Sequence, residues 1–126
     1  MYLHHIGILD EAHGQIIHAL RRLGYTDSGA ATRDEIEQAG TLMMEQPDRS
    51  SFVEMIWPTG EDSHLRNKPI GLHHLCFVVA DLEEAVAGLR GEFIPVRVPH
   101  YAPAFGNRRT AWVASRSGLL IELLEE

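Results

Sequence analysis

Several features are scarce in this chain of 126 residues, and each scarcity excludes a class of protein. The single cysteine, Cys76, cannot form an internal disulfide, so we expect a protein of a reducing compartment, the cytoplasm. The longest apolar run covers residues 75–80 and is far shorter than the ~18 residues that indicate a membrane span. The first residues have neither a basic nor an apolar stretch, which predicts that no secretory signal is present.

Positive charge is scarce as well. Eleven Lys and Arg residues stand against eighteen Asp and Glu residues, and the formal net charge of −7 argues against a nucleic-acid or anionic-membrane partner. Hydrophobic residues at 44% and charged residues at 23% are close to the averages of soluble globular domains, which excludes a disordered or fibrous chain. Histidine, in contrast, is abundant, with eight copies. A functional site is therefore to be sought among the histidines.

Two patterns recur along the chain at nearly the same distance. The segment LHHIGI at residues 3–8 is matched by LHHLCF at residues 72–77, so that His5 and His74 are 69 residues apart. An apolar stretch around Glu54 is matched by one around Glu122, 68 residues further on. Two different patterns with nearly one offset indicate a duplicated module, with halves at about 1–66 and 71–126. Each half is short for a core of its own, so we expect a single domain over 1–126.

In each half, the hydrophobic pattern and turn residues predict a strand, a helix and three further strands. The strands of the first half are predicted over residues 3–9, 28–33, 37–46 and 51–57. Those of the second half are predicted over residues 72–79, 93–98, 110–114 and 119–124. Asp10 or Glu11 is expected to precede the first helix, which ends near Gly24, and Asp81 with Glu84 marks the start of the second. The predicted fold class is therefore α+β, with two tandem βαβββ modules.

Parity along the strands predicts where the polar residues point, because successive side chains of a strand face opposite sides. The most apolar face of each half's first strand is expected to be covered by the helix, which leaves His5 and His74 on the other face. Glu54 and Glu122 also alternate with the apolar residues of their strands. Each half therefore offers one histidine and one glutamate on the face away from its helix.

Two imidazoles and two carboxylates suit a divalent metal such as Zn, Ni, Co, Mn or Fe. A glutamate among buried apolar residues is otherwise costly. A lone strand histidine is more often simply hydrogen-bonded, and a strand glutamate more often faces water, so the matched placement in both halves is what favours a site. We expect one divalent metal ion, with His5, Glu54, His74 and Glu122 as its ligands.

These motifs resemble the vicinal oxygen chelate superfamily, which includes glyoxalase I, methylmalonyl-CoA epimerases, extradiol dioxygenases and bleomycin-resistance proteins. The segments LHHIGI, GLHHLCFVV and GLLIEL are similar to the starts and ends of its modules. The segment PTGEDS at residues 58–63 and GNR at residues 106–108 look most like methylmalonyl-CoA epimerases. The resemblance implies a cup-shaped, partly open mixed sheet barrel that holds one metal at the four residues above, and a homodimer.

The resemblance also implies a chemistry, in which a metal polarises a carbonyl and stabilises the enediolate left by a departing α-proton. Carboxylates move the proton, and Glu122 is the expected base. Epimerases similar to this chain have a catalytic glutamate where Thr41 stands, and Glu45, four residues on, is the candidate replacement. They also commonly have glutamine where Glu54 stands, whereas Glu54 resembles the glyoxalase I ligand set. Epimerase, isomerase and lyase chemistry all remain open.

Candidate substrate contacts cluster in the second half; they are Arg97, His100, Tyr101, Arg108 and Arg109. They suit a carboxylate or a phosphate-bearing carrier such as CoA, although arginines beside a loop are more often simply solvated. The leading interpretation is a metal-dependent epimerase, isomerase or lyase that acts on a small carbonyl or acyl-CoA substrate. The alternatives are a glyoxalase I-like lyase and, from another class, a metal-free small-molecule or antibiotic-binding protein.

Overall fold

The computed structural model describes residues 1–126, apart from the side chain of Val98. Nine strands and two α-helices make up the described part. The strands are β1 (Tyr2–Leu9), β2 (Thr26–Asp27), β3 (Thr32–Asp34), β4 (Ala39–Glu45), β5 (Phe52–Pro58), β6 (Gly71–Val79), β7 (Phe93–Ala102), β8 (Arg108–Ser115) and β9 (Leu120–Glu125). The helices are α1 (Gln15–Arg22) and α2 (Leu82–Gly88), with short 3-10 helices at His64–Asn67 and Pro103–Phe105. Within the described residues, neither helix has the length and apolar character needed to cross a membrane.

The chain divides into two compact units. One comprises His5–His73, and the other comprises Met1–His4 with His74–Glu126. The strand order is β2-β4-β5-β1 in the first unit, with β3 also beside β4, and β6-β9-β8-β7 in the second. In each unit the first strand is parallel to the last, and the remaining neighbours are antiparallel. This repeated topology confirms the predicted α+β class with two modules.

The stretch between α1 and β4 differs from the prediction. A single strand was expected over residues 28–33, but the structure has two short strands instead, with β2 ending just before that stretch and β3 overlapping its last two residues. Both pair with β4, with Thr26 opposite Glu45 and Thr32 opposite Thr41. Gly29, between the two strands, has a φ of 88°, a conformation that interrupts an extended strand and that glycine adopts readily.

Each helix covers one face of the sheet in its own unit. The buried cluster of the first unit consists of Ile17, Leu42, Met44, Val53 and Met55. That of the second unit consists of Val79, Leu82, Ala111, Val113, Ile121 and Leu123. On β5 and β9 these residues alternate with Glu54 and Glu122, so both glutamates point away from the helix. The predicted assignment of the two faces is therefore confirmed.

The helix α1 begins later than predicted, at Gln15 and not directly after Asp10 or Glu11. The carboxylate of Asp10 accepts hydrogen bonds from the backbone N–H of Glu11 at 2.8 Å and of Ile16 at 2.9 Å. Gly14, the residue before the helix, has no side chain that could cap it. Asp10 therefore stabilises the helix start from a turn away, and this contact ties the end of β1 to α1.

Two other predicted helix boundaries are confirmed. Gly24 has a φ of 100°, in the left-handed region that favours glycine, and its N–H bonds to the carbonyl of Arg21 at 3.1 Å. At the start of α2, the carboxylate of Asp81 accepts a hydrogen bond of 2.9 Å from the backbone N–H of Glu84. This is the expected N-cap interaction.

We expect Asp10→Ala to destabilise the protein more than Asp81→Ala. Asp10 is buried, and losing two hydrogen bonds to a charged group costs about 2–3 kcal/mol. Asp81 is exposed, and loss of an N-cap costs about 1 kcal/mol. Urea unfolding followed by circular dichroism gives both free energies of unfolding. Equal losses would mean that Asp10 is no more than an ordinary cap.

Candidate metal centre

His5 and Glu54 lie side by side on the face of the first unit's sheet that α1 leaves uncovered. Strands β1 and β5 are parallel, with Gly7 opposite Glu54, so His5 lies two residues before that partner and on the same face. Both side chains are buried, Glu54 with 4% of its surface exposed. The His5 Nε2 atom is 3.5 Å from Glu54 Oε1.

The second unit repeats this arrangement. In the parallel pair of β6 and β9, Cys76 is opposite Glu122, and His74 lies two residues before Cys76. Both members of the pair are again buried, Glu122 with 3% exposed. His74 Nε2 is 3.5 Å from Glu122 Oε1. The duplicated module therefore keeps the residue types, the register and the distance between the two functional atoms.

The distance within each pair is longer than an ordinary hydrogen bond and close to the separation of two ligands on one metal ion. An N–H···O bond normally measures about 2.7–3.2 Å, and 3.5 Å is longer. Two atoms that each lie about 2.1 Å from one ion, at angles of about 90–110°, are about 3.0–3.4 Å apart. Imidazole nitrogen and carboxylate oxygen are ligands of divalent transition metals, so each pair has the donor atoms that such an ion requires.

Buried apolar side chains flank both pairs. In the first unit they are Leu9, Ala39, Ile56 and Leu65. In the second unit they are Cys76, Val78 and Leu124. The ring of Trp112 also meets that of His74 edge to face, with 4.7 Å between centroids and an interplanar angle of 70°. Surroundings of low polarity strengthen the attraction between a carboxylate and a cation.

Thr110 on β8 belongs to this site, although the sequence analysis did not single it out. Trp112 is opposite Glu122, and Thr110, two residues earlier, shares its face. The Thr110 side chain is 1% exposed, and its Oγ1 lies 2.9 Å from Glu122 Oε2 and 3.0 Å from the carbonyl oxygen of Leu123. Alternation along β8 places Thr110 on the same face as Trp112. Only the register of β8 against β9 shows that this is also the face of Glu122.

Glu45 shares a face with Glu54, as parity predicted. Met43 on β4 is opposite Glu54 on β5. Thr41 and Glu45 lie two residues before and two residues after Met43, so each is a diagonal neighbour of Glu54. The Glu45 carboxylate forms an ion pair of 3.2 Å with Nε of Arg49, in the turn between β4 and β5. The catalytic role assigned to Glu45 stays a prediction.

The candidate substrate contacts divide between the two faces of the second unit's sheet. Arg97 and His100 lie opposite Trp112 and Thr110, so both share the face of Glu122. Arg108 falls on this face too by alternation along β8. Its Nε donates a 3.0 Å hydrogen bond to the Glu125 carbonyl.

Tyr101 and Arg109 are paired on the opposite face, toward α2. The Arg109 guanidinium binds the carboxylate of Glu83 on α2 and lies 3.3 Å from Glu125 Oε1 on β9. The hydrogen bond with Glu83 raises the pKa of Arg109 and lowers the pKa of Glu83. Tyr101 is 66% exposed. Arg109 thus links the second helix to the sheet.

Comparisons with known proteins agree with this architecture. Residues 4–125 match the family model of the Glyoxalase/Bleomycin resistance protein/Dioxygenase superfamily. The crystal structure of methylmalonyl-CoA epimerase from Mycobacterium tuberculosis is similar, with a TM-score of 0.80 and 21% identity over 98% of this chain and 86% of that one. No curated protein matches the sequence significantly.

Two further solved structures share the fold. A hypothetical protein from Bacillus halodurans C-125 has a TM-score of 0.81 and 20% identity, over 99% of this chain and 94% of that one. A variant of Streptomyces coelicolor methylmalonyl-CoA epimerase, in complex with 2-nitronate-propionyl-CoA, has a TM-score of 0.77 and 21% identity, over 98% and 96%. At these identities the likeness establishes the fold.

The ion pair between Arg109 and Glu83 predicts a pH-dependent stability. Because the pKa of Glu83 is lowered from 4.5, the stabilisation is full above that value and is lost as the pH falls through the lowered pKa. Glu83→Gln should therefore unfold at a lower temperature than the wild type at pH 7, with the difference vanishing in acid and shrinking in high salt. Thermal unfolding at several pH values measures this, and a difference that grows in acid would refute it.

Proposed function

The chain belongs to the Glyoxalase/Bleomycin resistance protein/Dioxygenase superfamily, and on this basis we propose that it is a metal-dependent epimerase, isomerase or lyase. The reaction we propose begins with removal of an α-proton from a small carbonyl or acyl-CoA substrate. The observation that carries the proposal is the buried His–Glu pair that recurs in both units at one register and one distance of 3.5 Å. Each pair offers an imidazole nitrogen and a carboxylate oxygen, which are donor atoms that divalent transition metals bind.

We propose that the two pairs together bind one divalent ion, with His5, Glu54, His74 and Glu122 as ligands. The duplication supports this, because equivalent positions of two related modules supply chemically equivalent ligands. Two nitrogens and two oxygens leave open positions on a six-coordinate ion such as Ni, Co, Mn or Fe, and they also suit Zn. Such an ion supplies a Lewis acid that polarises the substrate carbonyl and stabilises the enediolate charge.

Glu122 is the proposed general base. Its carboxylate lies at a fixed place beside His74 and Thr110. A general base needs such a fixed position because it must reach one particular C–H bond. Glu45 is the proposed second acid–base group. Epimerisation results if Glu122 keeps the proton that it removes and a protonated Glu45 delivers its own proton to the opposite side of the enediolate, whereas removal and return by Glu122 alone gives isomerisation on one face or a lyase step.

The proposed substrate class is an acyl-CoA thioester with an acidic α-proton. Methylmalonyl-CoA epimerases of the same fold have been crystallised with methylmalonyl-CoA and with 2-nitronate-propionyl-CoA. Arg97, His100 and Arg108 share the face of Glu122 and suit the carboxylate or phosphate groups of such a substrate. The cytoplasmic location and the homodimer stay predictions.

Glu54 favours a second candidate function, a glyoxalase I-like lyase. With Glu54 the four proposed ligands form a His/Glu/His/Glu set, which resembles that of glyoxalase I, whereas epimerases commonly have glutamine at this place. The reaction of such a lyase also begins with removal of an α-proton, so Glu122 keeps its role. Only the substrate differs, a glutathione–methylglyoxal hemithioacetal in place of an acyl-CoA.

Glu122→Gln should reduce α-proton exchange by about 10²–10⁴-fold, because the amide cannot accept the proton. The metal-loaded protein is incubated with methylmalonyl-CoA in deuterated water, and deuterium uptake is followed by mass spectrometry. Glu84→Gln, an exposed change on α2, is the matched control and should exchange like the wild type. Undiminished exchange in Glu122→Gln would overturn the mechanism.

Parallel assays separate the candidate functions. Glu45→Gln should keep exchange and lose inversion of the substrate if the enzyme is an epimerase with two acid–base groups. Turnover of the hemithioacetal, but not of the acyl-CoA, identifies the lyase. Tight binding of an aromatic ligand by metal-free protein, with turnover of neither substrate, identifies a binding protein.

A further inference from the structure

We propose that Thr110 is a positioning residue, which holds the Glu122 carboxylate with one oxygen directed to His74. The inference deepens the function proposed above and rests on it. Thr110 is among the most buried polar side chains described, with 1% of its surface exposed. A hydroxyl at such a depth requires a partner, and the Glu122 carboxylate lies within hydrogen-bonding distance.

The two oxygens of the Glu122 carboxylate have different partners. Oε2 accepts a hydrogen bond of 2.9 Å from Thr110 Oγ1, and Oε1 lies 3.5 Å from His74 Nε2. Rotation of the carboxylate would break the first contact and carry Oε1 away from the imidazole. The hydrogen bond to a charged acceptor is of the stronger kind, so it fixes the oxygen that is left to bind a metal or a proton.

The Thr110 side chain is itself held in place. Its one hydroxyl proton is shared between two acceptors on β9, since Oγ1 lies 2.9 Å from Glu122 Oε2 and 3.0 Å from the carbonyl oxygen of Leu123. Threonine is branched at Cβ, which restricts χ1 to few rotamers on a strand. The hydroxyl is therefore directed at β9, and the carboxylate is oriented before any ion or substrate binds.

The first unit has a threonine at the equivalent position, but its hydroxyl has another partner. Met43 is opposite Glu54, as Trp112 is opposite Glu122, so Thr41 corresponds to Thr110. The Thr41 Oγ1 atom lies 2.6 Å from Oγ1 of Thr32 on β3, the short strand beside β4. Thr41 is therefore a matched control with the same chemistry and the same place in the module.

Loss of the Thr110 hydroxyl should weaken metal binding. Removal of a group that orients a metal ligand typically costs about 10–100-fold in metal affinity. Co(II) affinity, measured by competition with a chelator, should fall by this factor in Thr110→Val, and Thr110→Ser should restore it to within about threefold. Thr41→Val should bind Co(II) like the wild type.

A second measurement does not depend on metal. In crystal structures of the metal-free variants, Thr110→Val should have the Glu122 carboxylate turned away from His74, and Thr110→Ser should keep the wild-type orientation. Thr110→Ala serves in place of the valine variant if the latter does not fold. A wild type that binds no Co(II), together with a turned carboxylate in the valine variant, supports the positioning role and refutes the proposed metal function.

The inference is overturned by either of two results. One is a wild-type carboxylate orientation in Thr110→Val. The other is an equal loss of Co(II) affinity in Thr41→Val and Thr110→Val, which would point to a general loss of stability in place of a specific contact with Glu122.

Discussion

The parallel pairing of the first and last strands in each unit is the constraint on which the candidate site depends. It places Gly7 opposite Glu54 and Cys76 opposite Glu122, so that a histidine two residues earlier lies diagonally beside each glutamate. A parallel pair of strands needs a crossover connection, and each unit uses a helix for it. The helix covers one face of the sheet with apolar contacts. The polar pair is left on the other face.

Burial of these pairs favours the binding of a cation. A carboxylate with at most 4% of its surface exposed has lost most of its hydration, and apolar side chains flank both glutamates. Electrostatic interactions are strong in such surroundings, so an uncompensated negative charge destabilises the fold and a bound cation stabilises it. Stability and metal binding are therefore coupled in the proposed account. Burial of the carboxylates lowers the stability of the fold when no cation is bound. The same burial favours proton transfer next to a bound cation.

Much of the fold was predictable from the sequence because its determinants are local. Alternation along the strands identified the faces of His5 and His74, Gly24 identified the end of α1, and Asp81 identified the start of α2. The start of α1 was not predictable in this way, since Asp10 acts on a backbone N–H six residues away. The two short strands β2 and β3 were merged into one, because their existence depends on pairing with β4.

Within the site, the sequence predicted the four proposed ligands but not the residue that contacts one of them and orients it. The contact of Thr110 with Glu122 depends on the register between β8 and β9, which is a property of the folded sheet. Alternation alone also could not assign the candidate substrate contacts to one face of the sheet or the other, because irregularities on β7 between Pro95 and His100 interrupt it. Register and bulges are set by tertiary contacts, and pattern alone does not reveal them.

Metal stoichiometry in variants of either pair tests the central claim most directly. Tag-free wild type, His5→Ala and His74→Ala are equilibrated with Zn, Ni, Co and Mn, desalted and measured by elemental analysis. The account predicts about one ion per chain in the wild type and loss of that ion in each variant, although the two histidines belong to different units. Two ions per chain, no retained metal, or an ion that survives removal of either histidine would contradict it.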